Sequence, residues 1–78
     1  MYFVYALSSL SKNYIYVGIS KDVDRRFEEH NCGYERTTKP YRPFKIIMQE
    51  TYPDRIAARK REKFLKSGEG KIYLKSLL

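Results

Sequence analysis

Residues 14–30 read YIYVGISKDVDRRFEEH, and this segment decides the fold because it runs from a strand through a turn into a helix. Residues 14–19 alternate between aromatic and aliphatic side chains, and a period of two predicts a strand whose two faces meet different surroundings. Tyr14, Tyr16 and Gly18 then lie on the same face of that strand.

The second part of the segment predicts a helix with one buried stripe. Val23 and Phe27 stand four residues apart, as buried positions on a helix do, and Arg26 and His30 have the same spacing beside them. We therefore expect the strand and the helix to bring phenol, guanidinium and imidazole groups to one rim.

Periodicity, capping residues and turn residues divide the rest of the chain. The expected elements are a strand at 2–7, a helix at 22–32, a surface loop at 34–43, a strand at 44–50, a helix from 54 to about 66 and a short helix at 71–78. The first two strands should form an antiparallel hairpin over the polar loop 8–13, with Tyr5 and Tyr16 on the same side.

This order of elements predicts an α+β fold, a small three-stranded antiparallel sheet flanked by helices in the order β-β-α-β-α-α. A chain of 78 residues has room for one domain, which we expect to span residues 1–78. Phe44, Ile46 and Met48 are expected on one face of the third strand. The last helix is expected to pack on the sheet through its aliphatic side chains, which are Ile72, Leu74, Leu77 and Leu78.

Composition favours an intracellular protein with a polyanionic partner. Sixteen Lys and Arg oppose nine Asp and Glu, so the formal net charge is +7, and nucleic acid is a better candidate for the partner than an anionic membrane surface. One cysteine and one histidine supply neither an internal disulfide nor a zinc cluster. The sequence shows no signal-peptide pattern and no apolar run long enough to span a membrane, so we expect a soluble cytoplasmic protein. We expect it to be a monomer or a weak oligomer without a small-molecule cofactor.

Glu62 is the most informative residue of the second half, because it shares a stripe with Ala58 and Leu65 on a helix otherwise rich in cations. A carboxylate that points inward is most simply explained by an ion pair or hydrogen bond with an Arg or Tyr at the edge of the core. The other explanation is ligation of a hard cation such as Mg²⁺, which often uses one carboxylate and completes its shell with water and phosphate oxygens.

Arg26 and His30 also have two interpretations each. Arg26 either pairs with Asp22 or Glu29 on its own helix, or clamps a phosphate through the two parallel hydrogen bonds of its planar fork. Arg25 could take the second role but projects about 100° further round the helix. His30 is either a half-buried side chain with its hydrogen bonds satisfied or part of a catalytic set.

Basic residues are concentrated between positions 36 and 66. Ten of the sixteen lie there: Arg36, Lys39, Arg42, Lys45, Arg55, Arg59, Lys60, Arg61, Lys63 and Lys66. Because only three acidic residues oppose them in this range, a positive surface that follows a phosphate backbone is expected. Tyr34 and Tyr41 are interleaved with these cations and could stack on an unpaired base.

Val4-Tyr5-Ala6 in the first strand and Tyr16-Val17-Gly18 in the second resemble the two signature triplets of the GIY-YIG endonuclease superfamily. The segments DVDRRFEEHNCG, YRPFKI and REKFLKSG are similar to the short stand-alone bacterial members, in which the nuclease domain is the whole protein. The resemblance extends over nearly the whole chain.

The resemblance implies a divalent-metal-dependent endonuclease that hydrolyses phosphodiester bonds of DNA, in repair or DNA processing, without a covalent enzyme intermediate. Glu62 would hold Mg²⁺ or Mn²⁺, and Arg26 would neutralise the transition state. Tyr5 or Tyr16 would orient or deprotonate the attacking water, with His30 as a phosphate ligand or proton carrier. The candidate nucleic-acid contacts are Lys21, Arg25, Arg36, Lys39, Arg42, Arg59 and Lys63.

Two other functions stay open on the sequence. A catalytically weak or inactive nucleic-acid-binding module would need the basic surface but not Glu62. A structural or protein-interaction role would need neither, and its affinity for DNA would show no steep loss with salt.

Overall fold

The α+β order predicted from the sequence is confirmed by the computed structural model, which describes all residues 1–78. The elements are β1 Tyr2–Ser9, β2 Ile15–Ser20, α1 Val23–Cys32, β3 Phe44–Tyr52, α2 Arg55–Leu65 and α3 Gly68–Ser76, with a short 3₁₀ turn at Lys39–Tyr41 before β3. None of the helices combines the length and the apolar character that a bilayer crossing requires.

The sheet has the order β2-β1-β3, and both pairings are antiparallel. Tyr5 of β1 lies opposite Gly18 of β2 and Gln49 of β3. Because β1 is central and helices cover both faces, every residue from Val4 to Ser9 is buried.

Alternate residues of β1 enter two separate cores. Val4 and Ala6 belong to the core under α2 and α3, whose other members are Val17, Met48, Ala58, Leu65 and Leu74. Tyr5 and Leu7 belong to the core under α1, with Val23 and Phe44, and the half-buried Tyr14, Tyr16 and Phe27 pack against it. The two faces therefore have different chemistry, since one is aliphatic and the other is rich in tyrosine.

The helix ends follow the local signals in the sequence. The Asp22 side chain accepts a hydrogen bond from the Arg25 backbone N–H at 3.1 Å, and α1 ends at Gly33, whose φ of 81° is left-handed. Asp54 caps α2 in the same way, accepting from the Ala57 N–H at 2.8 Å. The expected starts and stops of these two helices are therefore confirmed, whereas the last helix runs from Gly68 to Ser76 and not over residues 71–78.

The expectation that Phe44 and Met48 share a face is wrong. The register between β1 and β3 shifts between Ala6 and Leu7, so Ile47 is an extra residue on β3. This bulge reverses the alternation, and Phe44 packs under α1 while Met48 packs under α2.

Two further expectations need correction. Residues 34–43 are not purely a surface loop, since Thr38 is fully buried and the Tyr41 ring stacks on Tyr14 with 4.0 Å between centroids. The last helix packs on the sheet mainly through Leu74, because Ile72 is 72% exposed and Leu78 is 59% exposed. A helix this short at the end of the chain has room to bury only one row of side chains.

Candidate active site

Two tyrosines and the single histidine meet on the α1 face of the sheet. The ring centroids of Tyr5 and Tyr16 are 6.2 Å apart, and the His30 ring lies 4.6 Å from Tyr16 and 6.3 Å from Tyr5. Tyr5 and His30 are fully buried, whereas Tyr16 on the edge strand is half-buried. The prediction that Tyr5 and Tyr16 face the same side is therefore confirmed.

Gly18 makes room for this cluster. A Cβ atom at Gly18 would lie 2.7 Å from the Tyr5 hydroxyl oxygen and 2.9 Å from Cε2 of Tyr16. Only a residue without a side chain lets the two phenol rings approach each other across the strand.

A chain of hydrogen bonds sets the tautomer of His30. The Thr38 hydroxyl donates to the Glu35 carbonyl at 3.4 Å, so its oxygen is free to accept from Nδ1–H of His30 at 2.9 Å. Nε2 of His30 is then the acceptor for the Tyr5 hydroxyl, at 3.4 Å. Thr38 was not among the residues predicted from the sequence, because it lies in a segment without periodicity and no local signal marks it.

Burial keeps Tyr5 and His30 uncharged near neutral pH. Burial, together with the nearby Arg26 charge, lowers the pKa of His30 below its ordinary value. Burial also raises the pKa of Tyr5 to about 12, although the neighbouring Arg26 opposes this shift. Tyr5 is therefore a hydrogen-bond donor and His30 an acceptor in the resting protein.

Arg26 lies at the open side of the cluster, with its side chain 29% exposed. Its guanidinium group donates to Glu29 at 2.7 Å and to Glu35 at 3.3 Å. Burial alone would lower the pKa of Arg26, but the neighbouring Tyr5 hydroxyl and the Glu29 carboxylate raise it instead. The guanidinium group is thus permanently charged and points its donors toward negatively charged groups.

Of the two ion pairs considered for Arg26 on its own helix, the structure contains the one with Glu29. Asp22 caps the helix instead, and Arg25 is 75% exposed and pairs with Glu29 at 3.2 Å. The pairing with Glu35 was not expected, because Glu35 follows the end of α1 and no helical spacing relates it to Arg26.

Glu62 lies on the other side of the sheet from the tyrosine cluster. Its side chain is 16% exposed, and it accepts from Nζ of Lys66 at 3.2 Å. No hydrogen bond or ion pair joins Glu62 to Tyr5, Tyr16, Arg26 or His30. The inward orientation predicted for this carboxylate is confirmed, but its partner is a lysine of its own helix.

The geometry of α2 places Glu62 on the flank that faces the edge strand β2. Ala58 points into the core and serves as the reference direction. Glu62 lies about 40° and Lys66 about 80° round the helix from Ala58. Arg61 lies about 60° from Ala58 in the opposite direction. Arg61 reaches β3, where its guanidinium group donates to Glu50 at 3.0 and 3.2 Å. Lys66 borders a cleft beside β2.

The cross-strand pairs of the sheet indicate the position of Glu62 along β2. Glu50, the partner of Arg61, lies opposite Val4, which in turn lies opposite Ile19. The adjacent rung contains Tyr5 and Gly18. Glu62 follows Arg61 on the helix and lies one turn before Lys66, which borders the cleft beside β2, so we infer that Glu62 flanks β2 near Gly18.

The available ligands suit a metal ion that takes only one of its ligands from the protein. No three His, Cys, Asp or Glu side chains come together as a metal-binding group. A single half-buried carboxylate supplies one hard oxygen ligand, which fits Mg²⁺ or Mn²⁺ because these ions retain water and take the remaining ligands from phosphate oxygens.

The seven candidate nucleic-acid contacts do not form one patch. Arg36, Lys39 and Arg42 lie in the segment after α1, and Arg42 donates to the Cys32 carbonyl at 3.3 Å. Arg59 and Lys63 lie on the outer face of α2, beside Arg55 and Lys60. Arg25 is on α1, and the Lys21 ammonium lies 5.1 Å from the centroid of the Tyr2 ring.

Comparison with known proteins identifies the family. The model of the GIY-YIG catalytic domain matches residues 1–74. The UPF0213 proteins of Staphylococcus aureus strains Mu3 and Mu50 are each 39% identical to this chain over 67 residues, which cover 85% of this chain and 80% of the relative. The solution NMR structure of a UPF0213 protein from Bacillus halodurans is similar with a TM-score of 0.58 and 31% identity, covering 99% of this chain and 85% of the other.

Proposed function

Because the chain belongs to the GIY-YIG family of nuclease domains, we propose that it is a divalent-metal-dependent endonuclease that hydrolyses phosphodiester bonds of DNA, in repair or DNA processing. The observation that supports this proposal best is the cluster of Tyr5, Tyr16 and His30 beside Arg26, at the level of the edge strand that Glu62 flanks. A fully hydrogen-bonded histidine and a glycine that admits two phenol rings are the features of a prearranged polar site.

Glu62 is the proposed metal ligand. Its only partner is the ammonium group of Lys66, which is 57% exposed and can turn toward solvent or toward a phosphate. The bound ion would supply charge neutralisation at the scissile phosphate and at the departing oxygen.

Arg26 is the proposed phosphate clamp. Glu29 and Glu35 hold its guanidinium group beside the Tyr5 hydroxyl in the resting protein. A phosphate oxygen that replaces one of these carboxylates would meet a planar fork that is 29% exposed, and the charge of the fork would stabilise the negative charge of the transition state.

The two tyrosines have different access to water. Tyr5 is fully buried and donates its hydroxyl to His30, so its role is to position the neighbouring groups. Tyr16 is half-buried on the edge strand and packs against His30, so it is the phenol that can orient an attacking water. We assign Tyr16 to the water and Tyr5 and His30 to its support.

A cleavage assay on supercoiled plasmid with Mg²⁺, with Mn²⁺ and with chelator tests the proposal. The change Glu62→Gln should lower the cleavage rate by about a hundredfold or more while leaving DNA affinity within a few fold, since it removes one metal ligand and preserves the shape of the side chain. The change Glu69→Gln is the matched control, because Glu69 is an exposed glutamate on α3 outside the site.

The same assay separates the nuclease from a binding module on the same scaffold. Arg26→Lys should also lower the cleavage rate strongly, because lysine keeps the charge but loses the fork. If the wild-type protein binds DNA and never cuts it with either metal, or if Glu62→Gln cuts as fast as Glu69→Gln, the proposed function is wrong. Circular dichroism and thermal melting of each variant exclude unfolding as the cause of a lost activity.

A further inference from the structure

A second charged feature lies on the α3 side of the sheet, away from the tyrosine cluster. A cleft of about 410 Å³ separates the start of the edge strand from α3, and we name it the β2–α3 cleft. It is lined by residues 13–17 on one side and by Leu65, Leu74, Lys66, Lys71 and Lys75 from α2, its end and α3 on the other. Leu65 and Leu74 are almost completely buried and belong to the aliphatic core below the cleft.

The charge of the β2–α3 cleft has a single sign. Lys66, Lys71 and Lys75 are its only charged lining residues, and no carboxylate lines it. Lys71 and Lys75 stand four residues apart on α3 and are exposed, and neither forms an ion pair. Two ammonium groups placed side by side without a counter-ion favour an anionic ligand with repeated charges.

The cleft begins one helical turn away from the candidate metal ligand. Lys66, on its border, lies one helical turn beyond Glu62 and holds its carboxylate at 3.2 Å. The wall opposite α3 is the edge strand β2, which pairs only with β1 and has no neighbour on its outer side. A chain lying along this edge would pass from Gly18, beside the tyrosine cluster, down to Asn13.

The size and lining of the cleft favour one strand of nucleic acid. Its volume is in the range of roughly 300–1,000 Å³ that holds a small ligand, which is enough for the sugar-phosphate backbone of one strand. The rings of Tyr14 and Tyr16 pack on the other face of the sheet, against Tyr41 and His30. The cleft therefore offers cations and an apolar floor, which suit a backbone without regard to base sequence.

We propose that the β2–α3 cleft binds one strand of the nucleic-acid substrate next to the cleaved bond, with its phosphates on Lys66, Lys71 and Lys75. This inference rests on the proposed function for the location of the cleaved bond. A second copy of the chain is a poorer occupant, because pairing at the lysine-lined edge would bring together two molecules that each have a formal charge of +7.

Fluorescence anisotropy with a short labelled single strand, and with the matching duplex, tests the proposal over a range of salt concentrations. The double change Lys71→Ala/Lys75→Ala should weaken binding of the single strand roughly tenfold at low salt and lower the slope of log K against log salt by about two, one for each phosphate that no longer meets an ammonium group. The control Lys45→Ala/Lys60→Ala removes two exposed lysines from other surfaces and so has the same net charge.

A loss of affinity and slope that is clearly greater for the cleft variant than for the control supports the proposal. Equal losses in the two variants mean that the cleft lysines contribute no more than lysines of the other basic surfaces, and no loss in the cleft variant means that the strand does not lie there; both results overturn the proposal. A dimer of the free protein that dissociates in Lys71→Ala/Lys75→Ala would make the cleft an interface between copies, which also overturns it.

The result is independent of whether the protein cuts DNA. If the cleft variant binds normally while Glu62→Gln abolishes cleavage, the cleft proposal fails and the proposed function stands. If the wild-type protein never cuts DNA, but the cleft variant binds the strand more weakly than the control variant does, then the cleft binds a strand and the proposed function fails.

Discussion

His30 shows how single residues prepare the candidate site. Its ring is fully buried between Tyr5 and Tyr16 on the sheet, and both ring nitrogens are within hydrogen-bond distance of a hydroxyl oxygen, Thr38 at 2.9 Å and Tyr5 at 3.4 Å. Protonation of Nε2 would turn an acceptor into a donor and place a positive charge next to Arg26. The folded protein therefore favours the neutral imidazole.

This preference makes stability depend on pH below about 6.5. Because the pKa of His30 is lower in the folded state, the unfolded chain binds the proton first, so stability that is fully present above about pH 6.5 is lost as the pH falls. We expect the free energy of unfolding, measured with urea, to fall by at most about 1.4 kcal/mol per pH unit in this range.

The variant His30→Gln keeps one donor and one acceptor but does not titrate, and its stability should be nearly constant over the same range. The carboxylates with lowered pKa values, Glu29 paired with Arg25 and Arg26 and Glu50 paired with Arg61, lose their protonation-linked stability only at lower pH. If the free energy of unfolding changes equally with pH in His30→Gln and in the wild-type protein, His30 is not the group responsible for the pH dependence.

The junction of α2 and α3 is the element on which the β2–α3 cleft depends. Ser67 caps α3 by accepting from the Gly70 N–H at 3.3 Å, and Gly70 is buried against the end of α2. A Cβ atom at Gly70 would overlap the backbone of Phe64 and Leu65, whereas a Cβ at Gly68 would meet nothing within 4 Å. The close packing at Gly70 determines how near Lys71 and Lys75 lie to the edge strand.

The two glycines therefore provide a matched pair of variants. We expect Gly70→Ala to lower the free energy of unfolding by about 1–3 kcal/mol, because the backbone of α2 cannot move aside as a flexible side chain can. We expect Gly68→Ala to change it by less than about 0.5 kcal/mol. Urea unfolding followed by circular dichroism measures both, and equal effects would show that α3 does not pack as closely on α2 as described.

At the scale of the whole molecule, positive charge is spread over three surfaces: the segment after α1, the outer face of α2, and the β2–α3 cleft. The structure contains five ion pairs, and their cations are Arg25, Arg26, Arg61 and Lys66. Most of the sixteen basic side chains therefore have no carboxylate partner. A polyanion that contacts these surfaces would release counter-ions from several of its phosphates.

We expect the affinity for duplex DNA to fall at least about tenfold between roughly 50 and 200 mM salt, and to be nearly the same for two unrelated sequences of equal length. Binding isotherms at several salt concentrations measure the slope. A weak dependence on salt would contradict nucleic acid as the partner and favour a role in protein interaction.

Local signals predicted most of the elements. The strand at 14–19, the helix at 22–32 and the caps Asp22, Gly33 and Asp54 depend on side chains within a few residues of each other, so the sequence is sufficient to identify them. The common face of Tyr5 and Tyr16 and the inward position of Glu62 were also predictable, because period two and period 3.6 determine which side chains share a face.

The sequence by itself determined the fold class, the family and the residue types of the candidate site. Only the tertiary structure decided the bulge at Ile47, the burial of Thr38 behind His30, the ion pair between Arg26 and Glu35, and the cleft between β2 and α3. These features join segments far apart in the chain or related by no regular period. Their energies depend on how layers pack, which no local pattern of residues encodes.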